Sequence, residues 1–217
     1  IIDNNILTEI KKDNLKLDCY YKTLKYLKNL KCTKDIKNYL KEYPLPVVEY
    51  TITRLTNEGY LNDNNYIKSY INTKINLSHD GYYKIYYSLK DKDLDDNIIK
   101  EYLDNIEDSI WLDKINKIID SKLKSNTKYS NNLLINKIKN YLKTLGFQDY
   151  LINIALNNIT IDNTHEDEKL KKDYEKLYNK YKNKYDKNKL NYILIGKLYQ
   201  KGYELDKVKT LVITSNS

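Results

Sequence analysis

Apolar residues recur at intervals of three and four along most of this chain, and polar residues fill the positions between them. Val48, Ile52 and Leu55 form one such row, which predicts a helix. Gly59 follows, supplying the positive φ that commonly ends a helix. Tyr60 and Leu61 are placed to staple that exit to the next entry, and Asn62 and Asp63 to cap the helix that carries Tyr66, Ile67, Tyr70 and Ile71.

Upstream, Tyr20, Leu24, Leu27 and Leu30 mark a helix, with Lys22, Lys25 and Lys28 on another face. Thr33 reads as the N-cap of a second helix through Ile36, Tyr39 and Leu40. Pro44 blocks its continuation, and Pro46 suits the first turn of the third. The same order of three helices returns downstream. With Asp93, Gly146 and Gly202 taken as corners, the residues four before are Leu89, Leu142 and Leu198, and the residues just after are Leu94, Phe147 and Tyr203. Ile99, Ile152 and Val208 lie six beyond the corners, and Leu103, Leu156 and Val212 ten beyond. This period predicts an all-α chain of tandem three-helix, helix-turn-helix-like repeats forming an elongated curved body. The expected boundaries are a lead-in segment at 1–18 and modules at 19–62, 63–108, 109–163 and 164–217.

Composition supports helices. Five Gly and two Pro in 217 residues leave little material for hairpins, and no apolar run approaches the 18 or so residues of a membrane span. The net charge of +8 is unevenly spread: residues 63–110 carry 6 basic and 10 acidic groups, whereas 166–217 carry 13 and 8. A basic surface divided by an acidic segment suits a polyanion met at several places, or a protein partner bearing both signs. Cys19 and Cys32 have neither CxxC spacing nor a nearby His, so neither a metal nor a redox motif is expected, and a reduced cytoplasmic chain is the simpler reading.

Chemistry finds no foothold. There is no phosphate loop, HExxH or nucleophile elbow, and His79 and His165 fall in separate expected loops, so the chain reads as a non-enzyme without cofactors. Acidic runs such as Asp95-Asp96 and Glu166-Asp167-Glu168 stand at helix starts, where they complement the helix dipole. Most tyrosines sit in the apolar rows and read as core. A duplex reader would present one basic recognition helix; here the basic residues are spread over several modules.

The stretch Leu55, Gly59, Tyr60, Leu61, Asn62, Asp63, Tyr66, Tyr70 resembles the best-marked motif of the RecX family of regulators of the RecA recombinase. Lys74, Gly81, Lys84-Ile85, Leu89 and Lys92-Asp93-Leu94 match its continuation, and Leu145-Gly146-Phe147 and Lys201-Gly202-Tyr203 match its later corners. The resemblance spans about residues 19–213 and corresponds to a four-module form lacking its N-terminal segment. Asp93 replaces an expected Gly, and Tyr82 and Tyr83 stand where Pro or Arg is frequent. What the resemblance implies is a monomer that binds the RecA filament, inhibits ATPase and strand exchange, and touches the phosphate backbone of single-stranded or duplex DNA. Candidate contacts are Lys22, Lys25, Lys28, Lys74, Lys84, Lys137, Lys139 and Lys143. A sequence-independent DNA-binding protein and a helical scaffold for another protein are the alternatives.

Overall fold

The structure, a computed structural model, describes residues 3–126, 129–159 and 164–215, without the side chains of 164 and 165. Among the described residues there are twelve α-helices and no strand. Two compact units divide them, Ile1–Glu107 and Asp108–Ser217.

In the first unit the helices are α1 (Asn4–Tyr26), α2 (Thr33–Tyr39), α3 (Leu45–Asn57), α4 (Asp63–Leu77), α5 (Tyr82–Lys90) and α6 (Asp96–Asp104). α1 and α2 pack on α3, while α4, α5 and α6 pack on one another. One core joins Cys19, Tyr20, Ile36, Leu40, Val47, Val48, Leu55 and Leu61. The second unit repeats the scheme with α7 (Asp108–Lys124), α8 (Asn131–Thr144) and α9 (Asp149–Asn157) in mutual contact, then α10 (Thr164–Tyr181), α11 (Lys187–Gln200) and α12 (Leu205–Ser215). Leu170, Tyr174, Leu190, Leu194, Leu198, Tyr203, Val208 and Val212 form the core of its last three helices.

The corners explain why the rows repeat. Gly59, Gly146 and Gly202 take φ of 78°, 83° and 90°. In each case the carbonyl four residues earlier accepts the N–H of the residue after the glycine: Tyr60 to Leu55 at 2.9 Å, Phe147 to Leu142 at 3.3 Å and Tyr203 to Leu198 at 3.4 Å. That is the wrapped helix end for which glycine is favoured. Leu55, Leu142 and Leu198 thus supply both a buried side chain and the accepting carbonyl. Asp93 takes a positive φ of 56° without being glycine, so this corner bears a strain the others avoid.

Several local expectations are corrected. α1 is one helix from Asn4, not a lead-in followed by a helix from Cys19, because no Gly or Pro interrupts it. It ends at Tyr26, so Lys28 lies beyond it. Thr33 is the first residue of α2, not its cap: the capping position is Cys32, whose N–H donates to Asp35 Oδ2 at 3.3 Å. Tyr60 is 60% exposed and staples nothing, whereas Leu61 is buried. Leu156 is only half-buried because Ala155 faces the core in its place. His165 lies in α10 and not in a loop, its side chain outside the described part. The boundary expected at 163 also lies outside the described residues. Gly81 is an N-cap with φ −92°, so its place in the motif does not come from a left-handed backbone.

Candidate functional site

Within the first unit, two lysines of the matched stretch converge on one carboxylate. Tyr66, Tyr70 and Lys74 share a face of α4 at intervals of four. The Tyr66 and Tyr70 rings stack with centroids 6.0 Å apart, and Lys74 Nζ stands 5.5 Å from the Tyr70 centroid. α4 is capped at its C-terminal end by Ser78, whose hydroxyl donates to the Lys74 carbonyl at 2.9 Å and accepts the Asp80 N–H at 3.1 Å. This turn carries Asp80 back under the helix. Lys74 Nζ meets Asp80 Oδ2 at 2.8 Å, and Lys84 Nζ, from α5, meets Oδ1 at 2.7 Å.

Asp80 is buried, and burial pushes its carboxyl pKa up. The hydrogen bonds from Lys74 and Lys84 outweigh that and hold it at about 2. The cluster is therefore one carboxylate between two ammonium groups, with a net charge of +1. The Lys84–Asp80 pairing has helical i,i+4 spacing and is readable in sequence. The Lys74–Asp80 pairing depends on how the Ser78 turn closes, and spacing does not reveal it.

The other candidate lysines differ in how free they are. Lys22 Nζ lies 5.0 Å from the Tyr43 centroid and 5.6 Å from that of Tyr39, and Lys137 Nζ lies 4.6 Å from that of Tyr129. Lys143 pairs across its corner with Asp149 at 2.9 Å. Lys25, Lys28 and Lys139 have no ion pair among the described residues.

Both units share a feature that sequence reading missed. The N–H of Thr33, first in α2, donates to Asp63 Oδ1 at 2.8 Å, and Asp63 is the first residue of α4. In the second unit the N–H of Asn131, first in α8, donates to Glu166 Oε1 at 3.0 Å, and its side-chain amide donates to Oε2 at 3.0 Å. In each case a carboxylate from the following group of three helices satisfies the exposed N-terminus of the preceding group's second helix. Asp63 and Glu166 are thus bound to a neighbouring helix. Asn62 alone caps α4, accepting the Asn65 N–H at 2.9 Å. Lysines tighten the first of these contacts: Lys92 meets Asp35 at 2.6 Å and Lys34 meets Asp93 at 3.0 Å. In the second, Ser130 Oγ donates to the Lys201 carbonyl at 2.7 Å beside Gly202.

The tyrosines divide. Tyr20, Tyr66, Tyr86, Tyr174 and Tyr203 are buried, but Tyr21, Tyr50, Tyr83, Tyr87, Tyr150, Tyr192 and Tyr199 are exposed. Tyr26, Tyr39, Tyr43, Tyr178, Tyr181 and Tyr185 are partly buried and pack against the two cores, so the apolar rows carry core and surface tyrosines alike.

No family model matches the chain. It is similar to the regulatory protein RecX of Streptococcus agalactiae serotype Ia, at 29% identity over 185 residues covering 82% of this chain and 69% of that protein. It is also similar to the regulatory protein RecX of Bacillus subtilis, at 28% over 188 residues, covering 84% and 70%. Among solved structures, a regulatory protein RecX superposes with a TM-score of 0.68 at 21% identity, over 73% of this chain and 81% of that one. RecX from Lactobacillus salivarius superposes with a TM-score of 0.63 at 26% identity, over 67% and 96%. No helix among the described residues is long and apolar enough to cross a membrane.

Proposed function

The chain belongs to the RecX family of regulatory proteins, and on that premise we propose that it is a non-enzymatic cytoplasmic regulator that binds the RecA–DNA filament as a monomer. Binding inhibits recombinase ATPase and strand exchange. The observation that carries the reading is the motif from Leu55 to Leu94, present in order and at the family's spacing on a chain similar to proteins named as regulators. The repeats that go with it are 19–62, 63–108, 109–163 and 164–217.

Inhibition on this reading is steric and electrostatic. Several modules occupy the filament groove, exclude incoming duplex and hinder the changes that accompany ATP turnover. Among the candidate lysines, Lys25, Lys28 and Lys139 are the contacts proposed to meet RecA or DNA phosphate directly, since neither a carboxylate nor an aromatic ring engages them among the described residues, whereas Lys22 and Lys137 lie over tyrosine rings. Lys74 and Lys84 contribute as a fixed pair whose geometry Asp80 sets.

The test is a RecA ATPase and strand-exchange assay on single-stranded DNA with the protein at substoichiometric levels. Loss of both activities at well below one protein per RecA is the expected result. Unchanged or stimulated turnover overturns the reading.

A further inference from the structure

Charge fastens the two groups of three helices in the first unit to each other. Ile36, Leu40, Val48 and Leu55 are buried in α1–α3, and Ile67, Ile85, Leu89 and Ile99 in α4–α6, where the helices of each group pack on one another. Between the groups, the first turn of α2 meets the corner that follows α5. Lys34 Nζ pairs with Asp93 Oδ2 at 3.0 Å and donates to the Asp91 carbonyl at 2.7 Å, while Lys92 Nζ pairs with Asp35 Oδ1 at 2.6 Å. Each side thus gives one lysine and one aspartate. Lys34, Lys92 and Asp93 all reach solvent, so salt can screen both pairs.

The backbone at Asp93 gives this joint a direction. Its φ of 56° is one that glycine adopts freely and aspartate only with strain. What the aspartate adds is the carboxylate that crosses to Lys34. The matching corner of the second unit is closed by fit: Ser130 Oγ donates to the Lys201 carbonyl at 2.7 Å, and a Cβ added to Gly202 would stand 2.8 Å from Leu133 Cβ. Cys32 marks the first joint from inside. It is fully buried, and its thiol donates at 3.3 Å to Asp35 Oδ2, on the carboxylate that Lys92 holds. Cys19, equally buried, belongs to the core of α1–α3.

We propose that the pairs Lys34–Asp93 and Lys92–Asp35 form a salt-operated latch, and that α1–α3 and α4–α6 swing apart about the 58–62 link when the pairs are screened, each group keeping its core. The bond from the Thr33 N–H to Asp63, next to that link, serves as the pivot and keeps α2 capped. Opening of this sub-global kind uncovers only what lies at the joint. Cys32 is uncovered and Cys19 is not.

The experiment follows alkylation of the two native thiols by a neutral reagent, iodoacetamide, resolved by mass spectrometry on the whole chain. Salt is raised from a low level to about 1 M, where the screening length falls to about 3 Å. Labelling of Cys32 is expected to rise severalfold while Cys19 stays slow. Lys34→Gln with Lys92→Gln should label Cys32 at low salt as fast as the parent does at high salt, with no further response. Asp93→Gly should melt at a higher temperature and yet label Cys32 faster than the parent at low salt, a divergence that a change in overall stability alone does not produce. A Cys32 rate indifferent to salt overturns the proposal, as does a joint rise of Cys32 and Cys19. If the double lysine variant labels Cys19 quickly it has lost its fold, and Asp93→Gly decides: labelling of Cys32 no faster than in the parent overturns the latch.

Discussion

Asp63 Oδ1 accepts the backbone N–H of Thr33 at 2.8 Å, so the N-terminus of α2 is satisfied by a residue thirty positions further along the chain. A contact of this kind couples two groups of three helices, since α4 cannot shift without uncapping α2. Asp63→Ala is expected to cost about 1 kcal/mol, within the range of lost helix caps. Asp63→Asn, which keeps an acceptor without the charge, costs less. Glu166→Ala should produce a matching loss in the second unit. Chemical denaturation of the three variants checks the relationship, and equal midpoints for Asp63→Ala and the parent would refute it.

Asp80 makes stability depend on pH in an acidic window. Its folded pKa of about 2 lies below the ordinary 3.8, so its contribution is present above pH 3.8 and is lost as pH falls toward 2. Asp80→Asn should therefore be less stable than the parent at neutral pH, by roughly 1 kcal/mol once solvent screening of the pair is allowed for. The gap should close progressively between pH 4 and pH 2. Urea midpoints across that range are the measurement.

Three corners turn at a glycine and the fourth at Asp93, and they should respond differently to substitution. At Gly59 a Cβ meets nothing within 4 Å, so Gly59→Ala incurs only the left-handed backbone, about 1 kcal/mol, and Gly59→Val somewhat more. At Gly202 the same Cβ would stand 2.6 Å from Ser130 Oγ and 2.8 Å from Leu133 Cβ, so Gly202→Ala must also displace the start of α8 and should cost more. Asp93→Gly is expected to raise stability by up to about 1 kcal/mol, because it removes positive-φ strain and gives up only an exposed ion pair to Lys34. Calorimetry on these variants orders them.

Charge reversal separates lysines that hold the fold from lysines free to bind. Lys25→Glu with Lys28→Glu should weaken RecA inhibition severalfold with little change in melting temperature. Lys74→Glu with Lys84→Glu would set three carboxylates around one buried site, and should lower stability by several kcal/mol. Melting curves taken beside ATPase titrations distinguish the two effects. If the Lys25 and Lys28 variant loses affinity for RecA-coated and bare strands equally, with a salt slope falling by about 0.7 per lysine, general DNA affinity replaces filament recognition.

Local sequence determined most of the helices and the ends that stand at glycines. A run such as Val48, Ile52, Leu55 followed by Gly59 admits few other structures, because the spacing fixes the period and glycine alone enters the left-handed turn without strain. The repeat was legible for the same reason, with Leu89, Leu142 and Leu198 buried as their offsets imply. Pairings between helices were decided only by the tertiary structure. That Asp63 serves α2 while Asn62 caps α4, that Asp80 gathers Lys74 and Lys84, and that Tyr192 faces outward while Tyr203 faces inward are not properties of any short segment. Helical periodicity says which side of a helix is apolar, but a carboxylate or a tyrosine is compatible with either environment. Its place is set by which donor or void the neighbouring helix brings within about 3 Å.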